Sequence, residues 1–258
     1  SGEYVKKESG LTIKLRGNTS AFTPKKPYKL KLQKKEDLLA NLIGRNDKKC
    51  KDKDWVLLKD GTSLKTFVGL TVADIAGTSW TPDFAYVNVI MNGIYRGVYM
   101  LIESVNQSEK RVNVADNGYI IEVDTYYFIE PYYFRTNSNR TITFKYPDED
   151  DIEENRELIT FIKNYMDEVE NKIQDGNYED YINTESFARW QLIHDILGSK
   201  DYKGSNIYMT KYDNTTPESP YEDGTWSKIA MSTPWDFDGI YSMENSWAKQ
   251  HYSDRNYT

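Results

Sequence analysis

Alternating apolar and polar residues near the N-terminus predict a β-hairpin. In LTIKLRG, residues 11–17, apolar side chains occupy every second position, and PYKLKLQ, residues 27–33, repeats the pattern. A period of two is typical of a half-buried strand. The polar stretch NTSAFTPKK joins the two runs, so we expect a hairpin with a long loop. Leu11, Ile13 and Leu15 should then face the core.

The rest of the first half predicts further strands and one helix. FAYVNVIMNGIYRGVYMLIESV contains two β-rich runs joined at Asn-Gly, the strongest short hairpin signal. GYIIEVD and TITFKYP predict two more strands. SLKTFVGLTVADIAG, residues 63–77, predicts a helix capped by Gly77. The highly charged residues 33–54 predict a surface loop, in which Cys50 is a solvated thiol.

The second half is predicted to be mainly helical. After the acidic run PDEDDIEEN, a long helix should end near Gly176, and a second helix should span about Thr184 to Leu197. The core face predicted for the first helix consists of Leu158, Ile162, Tyr165, Met166, Val169 and Ile173. NIYMT and WSKIAM predict the last two strands. We therefore expect an α+β protein, with a β-rich lobe over residues 1–147 and a helical lobe over 148–258 that together form one domain.

Composition and charge restrict the classes of function. The 258 residues are 38% apolar and 28% charged, with a net charge of −7, which indicates a globular protein and argues against nucleic acid or an anionic membrane as a general partner. No apolar run approaches the eighteen residues of a membrane span. One cysteine cannot form an internal disulfide, and two histidines are too few for a His-based zinc site. Any chemistry should therefore rest on carboxylates and an oxygen-bound metal.

The predicted N-terminal hairpin gathers positive charge on its polar face. Lys14, Arg16, Lys29 and Lys31 share that face. Because like charges opposite each other are unfavourable, an anion such as a polyphosphate between them is one interpretation. A solvated outer face, with lysine protecting an edge strand, is the alternative.

Two polar loops of the second half contain the candidate catalytic groups. SKDYKGSN holds Asp201 and Asn206, and PWDFDG holds Asp236 and Asp238. Phosphoryl transfer needs a carboxylate at the acceptor hydroxyl, oxygen ligands for a metal and cations for the phosphates. Protein kinases supply these groups as D-x4-N, a hairpin and then Asp-Phe, which is the order found here. A hydrated turn closed by Gly239 is the alternative for the second loop.

The order of the first half is also similar to that of a kinase. The turn Arg16-Gly17-Asn18 comes first, followed by a strand with lysines and then a helix. The segment YMLIESV stands where a kinase chain crosses between lobes and binds adenine through its backbone. Glu103, Ser104 and Val105 are the candidates in this segment, although an ordinary acid at a strand end is the alternative interpretation of Glu103.

Several motifs together resemble the spore coat protein H (CotH) kinase family. They are RGNTS with KKPYKLKL, DWVLLKDGTSLKT, NGIYRGVYMLIESV and D…N-x-Y with PWDFDG, and the resemblance covers residues 11–245. It implies an atypical, secretory-type protein kinase with a much-altered two-lobed fold and the active site in the cleft. It also implies ATP, Mg²⁺ or Mn²⁺, a serine- or threonine-containing protein substrate, and a place in the spore coat, at the cell surface or outside the cell.

The resemblance assigns a role to each candidate residue. Asp201 would be the catalytic carboxylate and Asp236 the metal ligand, with Asn206 as a second ligand and Asp238 as support for the metal shell or a nearby loop. The candidates for ATP binding are Arg16, Asn18, Lys29, Lys31, Glu103 and Val105.

The sequence also departs from the kinase pattern. The helix after Ser63 contains no glutamate to pair with the strand lysine, so that Asp60 or Asp74 would have to serve, and Ser-Lys-Asp stands where kinases have His-Arg-Asp. The main alternative function is a kinase-like coat or adhesion protein with little or no transfer. A glycoside hydrolase with paired carboxylates ranks last, because it leaves the basic hairpin face unexplained.

Overall fold

The computed structural model describes residues 10–17, 20–44, 50–59, 64–199, 205–212 and 228–241. In these ranges the strands are β1 (Leu11–Leu15), β2 (Tyr28–Glu36), β3 (Asp52–Leu58), β4 (Phe84–Met91), β5 (Ile94–Glu103), β6 (Tyr119–Val123), β7 (Tyr133–Arg135), β8 (Thr141–Tyr146), β9 (Ile207–Lys211) and β10 (Ala230–Met231). The helices are α1 (Lys65–Ile75), α2 (Glu149–Glu154), α3 (Glu157–Gln174) and α4 (Thr184–Leu197).

The α+β class predicted from the sequence is confirmed, and the chain forms two compact units. The first comprises Ser1–Leu64 and Pro82–Val105, and the second comprises Lys65–Thr81 and Asn106–Thr258. The predicted boundary near residue 147 therefore falls inside the second unit, because the strands β6 to β8 belong with the helices. The two-lobed kinase arrangement stays a prediction.

The first unit contains an antiparallel sheet with the strand order β1-β2-β3-β5-β4. Both predicted hairpins are present: β1 pairs with β2, and β4 pairs with β5 across Asn92-Gly93. One core cluster of this unit consists of Leu30, Leu32, Leu39, Trp55, Leu57, Tyr99 and Leu101. Val56, Met100 and Ile102 of the same strands are also buried.

Two predictions for the first unit are wrong. The apolar side chains of β1 (Leu11, Ile13 and Leu15) are exposed, because β1 is the edge strand and the cluster beneath the sheet is centred on its inner strands. Residues 33–54 do not form one surface loop, because β2 continues to Glu36 and β3 begins at Asp52.

Cys50 is buried rather than solvated. The Asp37 carboxylate accepts hydrogen bonds from the backbone N–H groups of Leu39 (3.0 Å) and Ala40 (3.1 Å), and from that of Cys50 (2.9 Å). A carboxylate that accepts several backbone N–H groups organises an irregular segment. In the described part of this charged run, the high charge therefore did not reveal the hydrogen bonds to Asp37 or the burial of Cys50.

The second unit contains a mixed core of sheet and helices. Its antiparallel sheet has the order β10-β9-β6-β8-β7. The main buried cluster consists of Tyr119, Ile121, Val123, Phe134, Ile142, Ile162, Met166, Val169, Trp190, Met209, Ile229 and Met231. The predicted bounds of α4 are confirmed, and Gly198 ends the helix in the left-handed conformation.

The acidic run before α3 forms a short helix of its own. Asp148 caps α2 by accepting from the N–H groups of Asp150 and Asp151, so a short helix that was not predicted precedes α3. The long helix predicted after the acidic run is confirmed as α3, which ends at Gln174, close to Gly176. The predicted core face of α3 is wrong at Ile173, which is exposed near the end of the helix. In the described ranges, no helix combines the length and the apolar character needed to cross a bilayer.

Candidate active site

The hairpin of β9 and β10 brings Asn206 and Asp236 together. Asn206 directly precedes β9, and Asp236 lies five residues after the end of β10. The two strands are antiparallel, with Met209 opposite Met231, and the Ser232 N–H extends the pairing by donating to the Tyr208 carbonyl (2.9 Å). In an antiparallel pair, the start of one strand lies beside the end of the other. The two polar residues therefore meet at the same end of this strand pair.

The side chains of this pair are in direct contact. Nδ2 of Asn206 donates to Oδ2 of Asp236 at 3.1 Å. Both residues have a left-handed backbone, with φ of 60° for Asn206 and 62° for Asp236. Asn and Asp tolerate this region better than other non-glycine residues, and such conformations cluster at functional sites. The side chain of Asp236 is exposed to solvent.

Phe237 explains why the two carboxylates of PWDFDG stand on either side of an aromatic residue. Its ring is fully buried, while Asp236 and Asp238 are exposed. The ring packs against Gly69 of α1, where an added Cβ would lie 2.2 Å from the Phe237 Cγ. The apolar residue therefore anchors the segment, which leaves the two acids at the surface.

His194 forms the other wall of the Phe237 pocket. Its ring is stacked with that of Phe237, with centroids 6.2 Å apart, and lies 4.3 Å from the ring of Trp190. Burial lowers the pKa of His194 from 6.5 to about 4, and the nearby Asp195 only partly opposes this shift. The imidazole is therefore neutral at pH 7 and has the environment of a core side chain.

Asp238 lies at the surface beyond Phe237. Its backbone carbonyl accepts a hydrogen bond from the Lys65 ammonium at the start of α1 (3.1 Å). Among the described residues, the Asp238 carboxylate has no hydrogen-bond partner. Its predicted support of a metal shell stays a prediction.

In the first unit, the predicted cationic face contains an acid that the sequence analysis did not place there. Lys14 stands opposite Lys29 on the β1–β2 pair, but Asp54 of β3 forms an ion pair with Lys29 (3.2 Å) and stands opposite Lys31. Whether Asp60 or Asp74 takes the place of the kinase glutamate stays a prediction, and Asp60 lies outside the described residues. Because an acid lies among these cations, the face does not require a bound anion.

Three further lysines gather around the connection between β1 and β2. Lys25 donates to the Val98 carbonyl and lies 4.5 Å from the centroid of the Tyr99 ring. Lys26 donates to the Ala21 carbonyl (2.6 Å), and Lys59 lies 3.4 Å from Oγ1 of Thr23. These lysines lie outside the alternating strands, so strand periodicity did not indicate them, although KK in KKPYKLKL was the available signal for Lys25 and Lys26.

The predicted adenine-binding segment is tied into the first sheet. The Glu103 side chain is buried and accepts from the Asp83 N–H (3.0 Å), and the Glu103 N–H donates to the Asp83 carbonyl (3.2 Å). The Ser104 hydroxyl donates to the Asp54 carbonyl (3.0 Å). The side chain of Glu103 thus has a structural role in the first sheet, whereas Val105 is partly exposed.

The comparison with protein families identifies the group to which these residues belong. The family model described as CotH kinase protein matches residues 13–258. The chain belongs to the CotH kinase family. No curated protein matches it.

Membership of the CotH kinase family supports a kinase-like function. Kinases generally use ATP and a divalent metal ion. The Asn206–Asp236 pair fits such a metal. A carboxylate oxygen is already in place, and half a turn of the amide presents Oδ1 of Asn206 beside it. Mg²⁺ is commonly held by one or two protein oxygens, with phosphates and water completing its shell. Asn206 and Asp236 are thus the described residues that would hold the ion.

Gly69 and His194 were missed by the sequence analysis of this CotH kinase. A glycine inside a helical pattern was the available signal for Gly69, since such a glycine usually marks close packing. Nothing in the local pattern distinguished His194 from the other inward residues of α4. Asp201, Asn18 and Asp60 lie outside the described residues.

Proposed function

We propose that this CotH family member is an ATP-dependent protein kinase that phosphorylates serine or threonine in a coat, surface or secreted protein. The observation that carries the proposal is the contact between Asn206 and Asp236, held in left-handed conformations at one sheet edge. Family membership supports the kinase class.

In this proposal, Asn206 and Asp236 hold the divalent ion, which when bound neutralises charge on the ATP phosphates. Asp201 orients the acceptor hydroxyl. As the hydroxyl oxygen bonds to the γ-phosphorus, the bond from that phosphorus to the β–γ bridging oxygen breaks and ADP leaves. The Asp201 carboxylate takes the hydroxyl proton. Buried Phe237 keeps the Asp236 backbone fixed throughout.

The cations Arg16, Lys29 and Lys31, together with Asn18 and the Val105 backbone, are proposed for the nucleotide. Of the two lysines, we favour Lys31 for phosphate, because Lys29 is already paired with Asp54 (3.2 Å). Replacing Lys31 by Ala should then weaken ATP binding more than replacing Lys29. The reverse order would assign the phosphate role to Lys29.

Transfer of labelled phosphate tests the proposed function. With [γ-³²P]ATP and Mn²⁺ or Mg²⁺, the wild-type protein should label itself or a generic protein acceptor such as casein. Asp201→Asn should retain metal-dependent ATP binding and lose transfer by about 100-fold or more, because it removes the proton acceptor.

The exposed acid Asp180, which lies on the connection between α3 and α4, provides a matched control as Asp180→Asn. Transfer by Asp201→Asn at the wild-type rate would refute the assigned role. ATP binding without transfer in the wild type would instead support the alternative, a nucleotide-binding coat or surface protein.

A further inference from the structure

An exposed aromatic segment follows β6 in the second unit. Residues 126–134 read YYFIEPYYF. Phe128, Ile129 and Tyr133, here called the aromatic patch, have exposed fractions of 66%, 61% and 43%. Adjacent large apolar side chains at the surface typically mark a binding site.

Contacts with the neighbouring Tyr127 side chain order Phe128 and Tyr133 of the aromatic patch. The Tyr127 ring centroid lies 5.8 Å from that of Phe128 and 4.8 Å from that of Tyr133. Arg135 lies 5.0 Å from the Tyr127 ring centroid and donates to its hydroxyl (2.5 Å). A surface that is ordered before binding loses less conformational entropy when it binds a partner.

A contact between neighbouring residues links the segment that carries the aromatic patch to the segment that carries Asn206. The Thr125 and Ser205 hydroxyl oxygens lie 2.6 Å apart, and the Thr125 N–H donates to the same Ser205 oxygen (3.2 Å). Ser205 directly precedes Asn206, and Phe128 is three residues from Thr125. Because a residue spans at most about 3.6 Å, the Cα atoms of Thr125 and Phe128 are no more than about 11 Å apart.

We propose that the aromatic patch binds an apolar side chain of the polypeptide that carries the acceptor hydroxyl. This inference rests on the proposed function, since the occupant is the acceptor segment itself. An extended segment covers about 3.3 Å per residue, so the apolar residue should lie about three to five residues from the serine or threonine. The substrate class is therefore a protein segment with Phe, Leu or Ile at that separation.

Direct peptide binding tests the proposal independently of phosphate transfer. The probes are two fluorescein-labelled peptides that each contain one serine. In the first peptide, Phe and Leu lie about three to five residues from the serine on both sides. In the second peptide, Asn replaces each of these apolar residues. Fluorescence anisotropy should show that the wild type binds the apolar peptide roughly tenfold more tightly, because it buries one or two side chains.

The double variant Phe128→Ser/Ile129→Ser should lose this preference. Phe161→Ser is the matched control, because Phe161 is 65% exposed but lies on α3, outside the aromatic patch. The control should keep the roughly tenfold preference. With transfer as the readout, the double variant should raise KM for the apolar peptide and leave KM for ATP unchanged.

Different results separate this inference from the proposed function. Equal binding of both peptides, or a preference that survives in the double variant, overturns the inference even when ATP-dependent transfer is present. Peptide binding without nucleotide binding overturns the proposed function, and with it the acceptor assignment. A dimer in light scattering that the double variant dissociates shows that a second copy occupies the patch, which also overturns the inference.

Discussion

Phe237 separates the two carboxylates of PWDFDG by packing inward between α1 and α4. Its neighbours are Gly69 on one side and the His194 ring on the other. Asp236 therefore reaches solvent next to Asn206 with a backbone that the buried ring holds in place. At the scale of single residues, the chemistry of the site depends on packing beneath it.

A methyl group on Gly69 tests this packing. Gly69→Ala places a Cβ 2.2 Å from the Phe237 Cγ, so the ring has to move. We expect a loss of about 1–3 kcal/mol in the free energy of unfolding, measured by urea denaturation, and weaker metal-dependent ATP binding. In an open helix, the same change would stabilise by up to about 1 kcal/mol. Unchanged or increased stability would therefore disprove the contact.

Titration of His194 makes stability depend on pH. The unfolded side chain titrates at 6.5, whereas the buried one has a pKa of about 4. Between these values only the unfolded state binds the proton, so stability is full above pH 6.5 and falls as the pH is lowered towards 4. The difference of 2.5 in pKa corresponds to at most about 3 kcal/mol.

The variant His194→Asn isolates this effect. Chemical denaturation of both proteins at several pH values from 7 to 5 should give a steeper loss of stability for the wild type. If wild type and variant lost stability equally as the pH fell, the pKa of His194 would be the same in the folded and unfolded states.

At the scale of elements, an ion pair between a buried glutamate and a partly buried lysine links two strands of the sheet that β9 joins directly after Asn206. Lys145 of β8 contacts Glu122 of β6 (2.9 Å), and β6 in turn pairs with β9. Burial raises the pKa of Glu122, against the opposing effect of Lys145. Burial acts to lower the pKa of Lys145, but Glu122, with Glu130 and Asp124, raises it above its ordinary value.

A double-mutant cycle measures this pair. Lys145→Met should cost about 3–5 kcal/mol in unfolding free energy, because it leaves the buried Glu122 carboxylate without its partner. Glu122→Gln should cost less, because the Lys145 side chain is 27% exposed, and the double variant should cost less than the sum. The exposed pair Glu185–Arg189 on α4 is the control and should couple by about 0.5 kcal/mol or less. Additive costs at Glu122 and Lys145 would contradict the interaction.

Sequence periodicity predicted the elements whose signal is local. The β4–β5 hairpin followed from Asn92-Gly93 and α4 from its apolar spacing. The strand β3 was missed because its first residues, Asp52, Lys53 and Asp54, continue a charged run. What orders that region is the Asp37 carboxylate and the packing of Trp55, and neither is visible in a local pattern.

The sequence predicted some residues of the candidate site, but not the contacts that depend on tertiary packing. The spacing of Asn206 and the PWDFDG motif predicted residues that the structure places in contact. The pairing of Lys29 with Asp54 was not foreseen, because it depends on a strand that the pattern did not reveal. Gly69 and His194 act through contacts between distant segments, and such contacts depend on tertiary packing.

At the scale of the whole molecule, family membership and local geometry agree on one class of chemistry. The CotH kinase family model spans residues 13–258, and we propose that the Asn206–Asp236 pair supplies oxygen ligands to a phosphate-bound divalent ion. The net charge of −7 makes a metal ion still more important for holding an anionic nucleotide. The central claim is therefore metal-dependent nucleotide binding at Asp236.

Isothermal titration calorimetry with ATP and Mn²⁺ measures this claim most directly, with wild type, Asp236→Asn and the control Asp180→Asn compared at equal protein concentration. We predict that wild type and Asp180→Asn bind ATP only when the metal is present, and that Asp236→Asn loses at least about tenfold in affinity, because one charged ligand is gone. Metal-independent binding by the wild type, or equal affinity for Asp236→Asn, would contradict the account.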